Sequence, residues 1–97
     1  MLVADVLKRW QELQGRTAIL CTGTDEHGQK VQRAAAAAKQ EPLAFCDERA
    51  AAFRELAAYG GISNTHFVRT TEERHRQAVE HFWVGSLFDG TGGEFMV

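Results

Sequence analysis

From Leu2 onward, apolar residues recur at helical spacing, at Leu2, Val3, Val6, Leu7, Trp10 and Leu13, with Lys8, Arg9 and Glu12 on the opposite side. This spacing predicts an amphipathic helix over Leu2 to Gln14, ended by Gly15. The next run, Thr17-Ala18-Ile19-Leu20-Cys21, is apolar without alternation, the pattern of a parallel strand buried on both faces, and Thr22-Gly23-Thr24 stops it. Gly28 opens a second helical stretch through Val31 and the run Ala34 to Ala38, whose small side chains favour helix and close packing. Pro42 suits the first turn of a third helix, in which Leu43, Cys46, Ala50, Phe53, Leu56 and Ala57 trace one face as far as Gly60-Gly61. His66-Phe67-Val68-Arg69 reads as a second short strand, and Thr70 with Glu73 predicts a capping box that starts a helix running to about Trp83. Helical periodicity fades after Val84, where Gly85, Gly90, Gly92 and Gly93 crowd a tail, so the chain divides into 1–84 and a Gly-rich 85–97.

The predicted order of elements is helix, strand, helix, helix, strand, helix, an α/β arrangement with parallel strands. Two short strands do not make an independently covered sheet, so the chain reads as cut from a larger, helix-rich domain. Composition adds little: 97 residues, 44% hydrophobic, fit a small globular piece. Lys+Arg of 11 against Asp+Glu of 13 gives a net charge of -2, without the global positive field that draws proteins onto phosphates. Cys21 and Cys46 are too few and too far apart for a disulfide framework or a zinc spacing, and are expected to be buried thiols in a reducing compartment. Met1 to Asp5 carries no basic segment before an apolar stretch, and no apolar run approaches the roughly 18 residues of a membrane span, so neither secretion nor a membrane partner is expected.

Candidate chemistry concentrates in Thr22-Gly23-Thr24-Asp25-Glu26-His27-Gly28. In open parallel sheets, ligands bind beyond the carboxyl ends of the strands, which is where this stretch falls. Gly23 and Gly28 permit close backbone approach, while Asp25, Glu26 and His27 put two carboxylates and an imidazole into one turn, and an ionised Asp25 matches an ammonium ligand. Capping and dipole-complementing roles for the same acids stand beside that reading. No metal site is expected, because adjacent Asp-Glu-His side chains diverge and His66, His75 and His81 supply no ligand spacing. His75 and His81 sit among Glu72, Arg74, Arg76 and Glu80, a solvated face. Arg69 before Thr70-Thr71 has two readings, a phosphate contact at a helix N-terminus or a strand-end arginine paired with a carboxylate. The tail glycines match neither a G-x-G-x-x-G fingerprint nor a P-loop.

The stretch Thr22-Gly23-Thr24-Asp25-Glu26-His27-Gly28-Gln29-Lys30 resembles the methionyl-tRNA synthetases, class I aminoacyl-tRNA synthetases that carry such a run after a strand of their catalytic domain. Leu2-Val3-Ala4-Asp5-Val6 is similar to the helix after that family's HIGH motif, and Phe67-Val68-Arg69-Thr70-Thr71-Glu72-Glu73-Arg74-His75 to the segment entering its connective region, so the likeness covers residues 1 to about 83. It implies a fragment of a Rossmann-like (HUP-type) parallel-sheet nucleotide-binding domain, and a parent enzyme that joins methionine to ATP, with Mg2+, and transfers it to tRNA(Met). By the same resemblance Asp25 would hold the α-amino group of methionine, Gly23 would keep the pocket wall close, and His27 would shape the pocket. The HIGH motif, KMSKS loop, zinc knuckle and anticodon-binding helices of the family are not found, and the tail from Gly85 departs from it. An incomplete gene model or frameshift is the simplest expectation, and the chain alone is expected to lack activity and to require a complementing fragment or self-association. The bacterial and mitochondrial subtype is the nearer likeness, which implies cytoplasm or mitochondrial matrix. A non-catalytic α/β interaction module or pseudo-synthetase is the alternative.

Overall fold

Two four-residue strands, β1 (Cys21–Thr24) and β2 (His66–Arg69), pair in parallel, with Cys21 opposite His66 and Thr24 opposite Arg69. The structure, a computed structural model, describes residues 1–88. Asp89 and the glycines Gly90, Gly92 and Gly93 of the predicted tail lie outside the described residues. β1 therefore begins where the sequence pattern predicted it to end, and Thr22-Gly23-Thr24 is the strand itself. The reason is pairing: a strand needs a partner, β2 offers four residues, and the N–H groups of Thr65 and His66 both donate to the Leu20 carbonyl at 2.8 and 3.2 Å, which sets the start of the ladder. Burial on both faces is also corrected, since Leu20 is buried but Ile19 is 69% exposed and the Cys21 thiol is exposed.

Four helices accompany this ribbon: α1 (Leu2–Leu13), α2 (Gln29–Ala37), α3 (Pro42–Tyr59) and α4 (Glu73–Phe88). α2 packs on α3, and α3 packs on β1. Fully buried Ala35 and nearly buried Ala50 let the helix backbones come close, the use expected of the alanine-rich stretch. Three helices end alike. After α1 the Arg16 N–H reaches the Gln11 carbonyl and Gly15 N–H reaches that of Glu12, and Gly15 has φ of 77°. The same pair of bonds closes α3 around Gly61 and α2 around Lys39, a lysine held at φ of 54°.

At α3, Pro42 occupies the first turn, and the Glu41 carboxylate accepts the Ala44 N–H at 3.0 Å. α4 starts at Glu73 without the predicted box: the Thr70 hydroxyl accepts the Glu26 N–H at 2.8 Å, and the Glu73 carboxylate turns to Arg76. The helix runs on to Phe88, beyond the predicted end near Trp83; one glycine, Gly85, costs only about 1 kcal/mol in a helix and does not stop it. The core is small: one leucine, Leu20, with the small residues Ala35, Cys46, Ala50 and Ala57. On α1 the apolar stripe is uncovered, with Leu2, Val3, Leu7, Trp10 and Leu13 each more than half exposed, and the buried residue is Asp5.

Candidate functional site

The turn that follows β1 brings Asp25, Glu26 and His27 to the carboxyl end of the sheet, and the three side chains separate at once. Glu26 turns inward and is buried. Arg69, at the end of β2, donates to it from Nε at 2.8 Å and from Nη2 at 2.7 Å, a two-pronged geometry that suits guanidinium and carboxylate. The hydroxyls of Thr24 and Thr71 add bonds at 3.1 and 3.4 Å. These donors, Arg69 foremost, hold the Glu26 carboxyl below its usual range although burial opposes them. Arg69 also reaches Asp47 on α3 at 2.6 Å, and its guanidinium is held more firmly protonated than usual by Glu26 first and Asp47 second. Of the two readings of Arg69, the carboxylate partner is the one realised.

Asp25 has the opposite surroundings. It is exposed, and among the described residues its carboxylate accepts only the His27 N–H, at 3.5 Å. No cation pairs with it among the described residues. Beside it lies a cavity of about 290 Å3 between the end of β1, α2 and α3, walled by Val31, Phe45, Ala50 and Phe53. His27 is exposed, and its Nε2 lies 3.1 Å from the Thr70 carbonyl; because a carbonyl only accepts, Nε2 carries the proton. The ring is thus tied back to the end of β2.

Gly23 sits inside β1, opposite Val68. A Cβ there would stand 1.7 Å from the Val68 carbonyl oxygen, so what forbids a side chain is the neighbouring strand. That observation supplies a structural reason for the glycine independent of any ligand.

Sequence reasoning missed several members of this network. Thr70, assigned to a helix cap, serves the Glu26 N–H; Thr71 was not expected to reach Glu26, Asp47 was not singled out, and Cys46, expected only as a buried thiol, points its thiol at the Glu26 carbonyl at 3.9 Å. Cys46 is buried as expected, and burial first, then the Glu26 charge, raises its pKa; Cys21 is exposed, against expectation. A second buried acid also went unread. Asp5 accepts from the Ser63 N–H at 2.7 Å, the Ser63 hydroxyl at 2.6 Å and Arg9 Nε at 2.7 Å, tying α1 to the loop before β2. Those bonds, with the Ser63 hydroxyl leading, lower its pKa to about 2. An acid in an apolar helical stripe with arginine four residues on was the available signal.

The family described as tRNA synthetases class I (M) matches residues 1–89. The chain belongs to it. Among class I synthetase relatives, the probable mitochondrial methionine–tRNA ligase of Neurospora crassa is 58% identical over 84 residues, covering 87% of this chain. The mitochondrial methionine–tRNA ligase of Homo sapiens is 49% identical over 85 residues, and the methionine–tRNA ligase of Rickettsia bellii 44% over 94. The chain spans 14% of the length of the two mitochondrial relatives and 18% of the bacterial one. The helix-rich α/β arrangement with its parallel pair of strands agrees with a Rossmann-like piece of a class I synthetase. Among the described residues no group of three His, Cys, Asp or Glu side chains is placed to hold a metal ion, and no helix is long and apolar enough to cross a membrane.

Proposed function

We propose that this class I synthetase segment supplies the carboxylate that holds the ammonium group of methionine in an enzyme that makes methionyl-adenylate and then methionyl-tRNA. The observation that carries the reading is the contrast within one turn: Glu26 is saturated by Arg69 and two threonines, while Asp25, exposed at the carboxyl end of β1, has no cation among the described residues. A carboxylate so placed takes an ammonium by a charge-assisted bond, and the relatives' names supply methionine as the substrate.

In adenylate formation the methionine carboxylate attacks the α-phosphorus of ATP and pyrophosphate leaves. Asp25 takes no proton in that step; it fixes the amino acid so that its carboxylate is aimed, a contribution of position. His27, tied to Thr70, bounds the turn on the β2 side. No residue of this chain is assigned to ATP or Mg2+, since the other carboxylate of the turn is occupied by Arg69. Mitochondrial and bacterial names among the relatives support matrix or cytoplasm as the place of action. The uncovered apolar residues of α1 favour a covering surface supplied by a complementing segment or a second copy, and an interaction module remains the second reading on that ground.

The test places this chain in the aligned region of the full-length Neurospora crassa relative and measures pyrophosphate exchange against methionine concentration. Asp25→Asn is expected to lower kcat/KM for methionine about tenfold to hundredfold, the worth of one hydrogen bond to a charged group. An analogue lacking the amino group should bind wild type and variant alike. An unchanged methionine profile removes Asp25 from the site.

A further inference from the structure

We propose that Glu26 and Arg69 are a positioning pair for Asp25, with Asp47 as its outer anchor: by pinning the residue next to Asp25 to β2 and α3, they set where the free carboxylate meets an ammonium. This deepens the reading of Asp25 given above and rests on it.

Asp25 does not hold itself in place. Among the described residues its carboxylate has one long bond, to the backbone of its own turn. The residue that follows is fixed from four directions. Its carboxylate is gripped by Arg69 from the end of β2, by Thr24 from β1 and by Thr71 from the connection into α4. Its N–H is capped by Thr70. Its carbonyl faces the Cys46 thiol of α3. His27, the next residue on, is held by the Thr70 carbonyl. The turn between β1 and α2 is thereby held at the two residues that follow Asp25, while β1 holds Thr24 before it, and the exposed Asp25 carboxylate inherits that rigidity.

The pair also sorts charge. Arg69 neutralises Glu26 within the turn, so Asp25 is left as the negative group an ammonium meets. Asp47 completes the arrangement from outside, with its side chain 59% exposed against 16% for Arg69 and 4% for Glu26. A merely structural ion pair would tie α3 to the sheet and affect the amount of folded protein. A positioning pair must in addition alter the affinity for the amino acid, because small displacements of an orienting group weaken its contact with the ligand without touching the reacting phosphate.

The experiment uses the same full-length synthetase, with active sites counted by burst titration so that misfolded protein does not enter the constants. Glu26→Gln is expected to raise KM for methionine about tenfold with kcat within about twofold and KM for ATP unchanged, the signature of lost ground-state binding. Arg69→Lys, which keeps the charge and loses the fork, should give a smaller rise in the same constant, and Asp47→Asn, at the exposed end, a smaller one still. Should Glu26→Gln yield no folded enzyme, the Arg69→Lys and Asp47→Asn pair decides. Unchanged methionine KM in folded Arg69→Lys, with lower yield of active sites, overturns the proposal and leaves a structural tie. Asp25→Asn is measured alongside: a raised KM there with none at Glu26 or Arg69 sinks the positioning pair only, and no rise at Asp25 sinks the reading of Asp25 and this inference with it.

Discussion

Asp25 and Glu26 differ by one methylene and stand side by side, yet Glu26 is buried among donors and Asp25 is exposed with none but a backbone N–H among the described residues. The sequence placed both in the turn; which acid is free was decided by Arg69, Thr70 and Thr71, more than forty positions later, and no local pattern reports such a partner. Gly23 was legible as a constraint, and the neighbouring strand adds a reason for it that the sequence did not offer. Because a Cβ would overlap the Val68 carbonyl, Gly23→Ala should force β1 and β2 apart and cost at least about 2 kcal/mol, seen as a lower urea midpoint without any ligand present. A midpoint equal to wild type would return the glycine to a ligand-facing role. Asp5 gives a pH dependence. Its pKa is lowered when folded, so its contribution is complete above the ordinary value of 3.8 and is lost as pH falls from there through about 2. Denaturant midpoints of the chain should decline across that window, and Asp5→Asn should start lower at neutral pH and decline less; parallel slopes would refute the assignment.

Helices were the most legible elements, because each carries its own periodicity and stop signals: Pro42 at the start of α3 and glycines after α1 and α3 are local chemistry read locally. β1 was misplaced since apolar content alone marks Thr17 to Cys21, whereas the ladder depends on what β2 can reach. The capping box failed for the same reason, with the Thr70 hydroxyl drawn away by a backbone group distant in sequence. The end of α2 was ambiguous, as Lys39 lacks the glycine that marks the other two ends while adopting their left-handed conformation. That conformation costs a side-chain-bearing residue about 1–2 kcal/mol. Lys39 makes no side-chain hydrogen bond or ion pair among the described residues, so Lys39→Gly should raise the thermal midpoint, by about 4–8 °C for each kcal/mol recovered in a chain of this size. A lower midpoint would mean that the lysine is held for a contact rather than merely tolerated.

At the scale of the molecule, the strands, helices and their order agree with an α/β piece of a class I synthetase, and the exposed face of α1 accords with a chain that covers a small fraction of its relatives' length. How little of the apolar surface would find cover was readable in outline from the two short strands; that α1 is anchored through an acid and a serine was not. The two cysteines, one on each side of the β1–α3 contact, turn this architecture into its own gauge. Cys21 is open to solvent, whereas Cys46 lies under the turn with its thiol pKa raised. A maleimide should therefore modify one site per native chain and two per unfolded chain, and the slow second addition, followed by mass spectrometry against urea concentration, would time the departure of α3 from the strand without any added probe. Two rapid additions in buffer would mean that α3 does not stay docked.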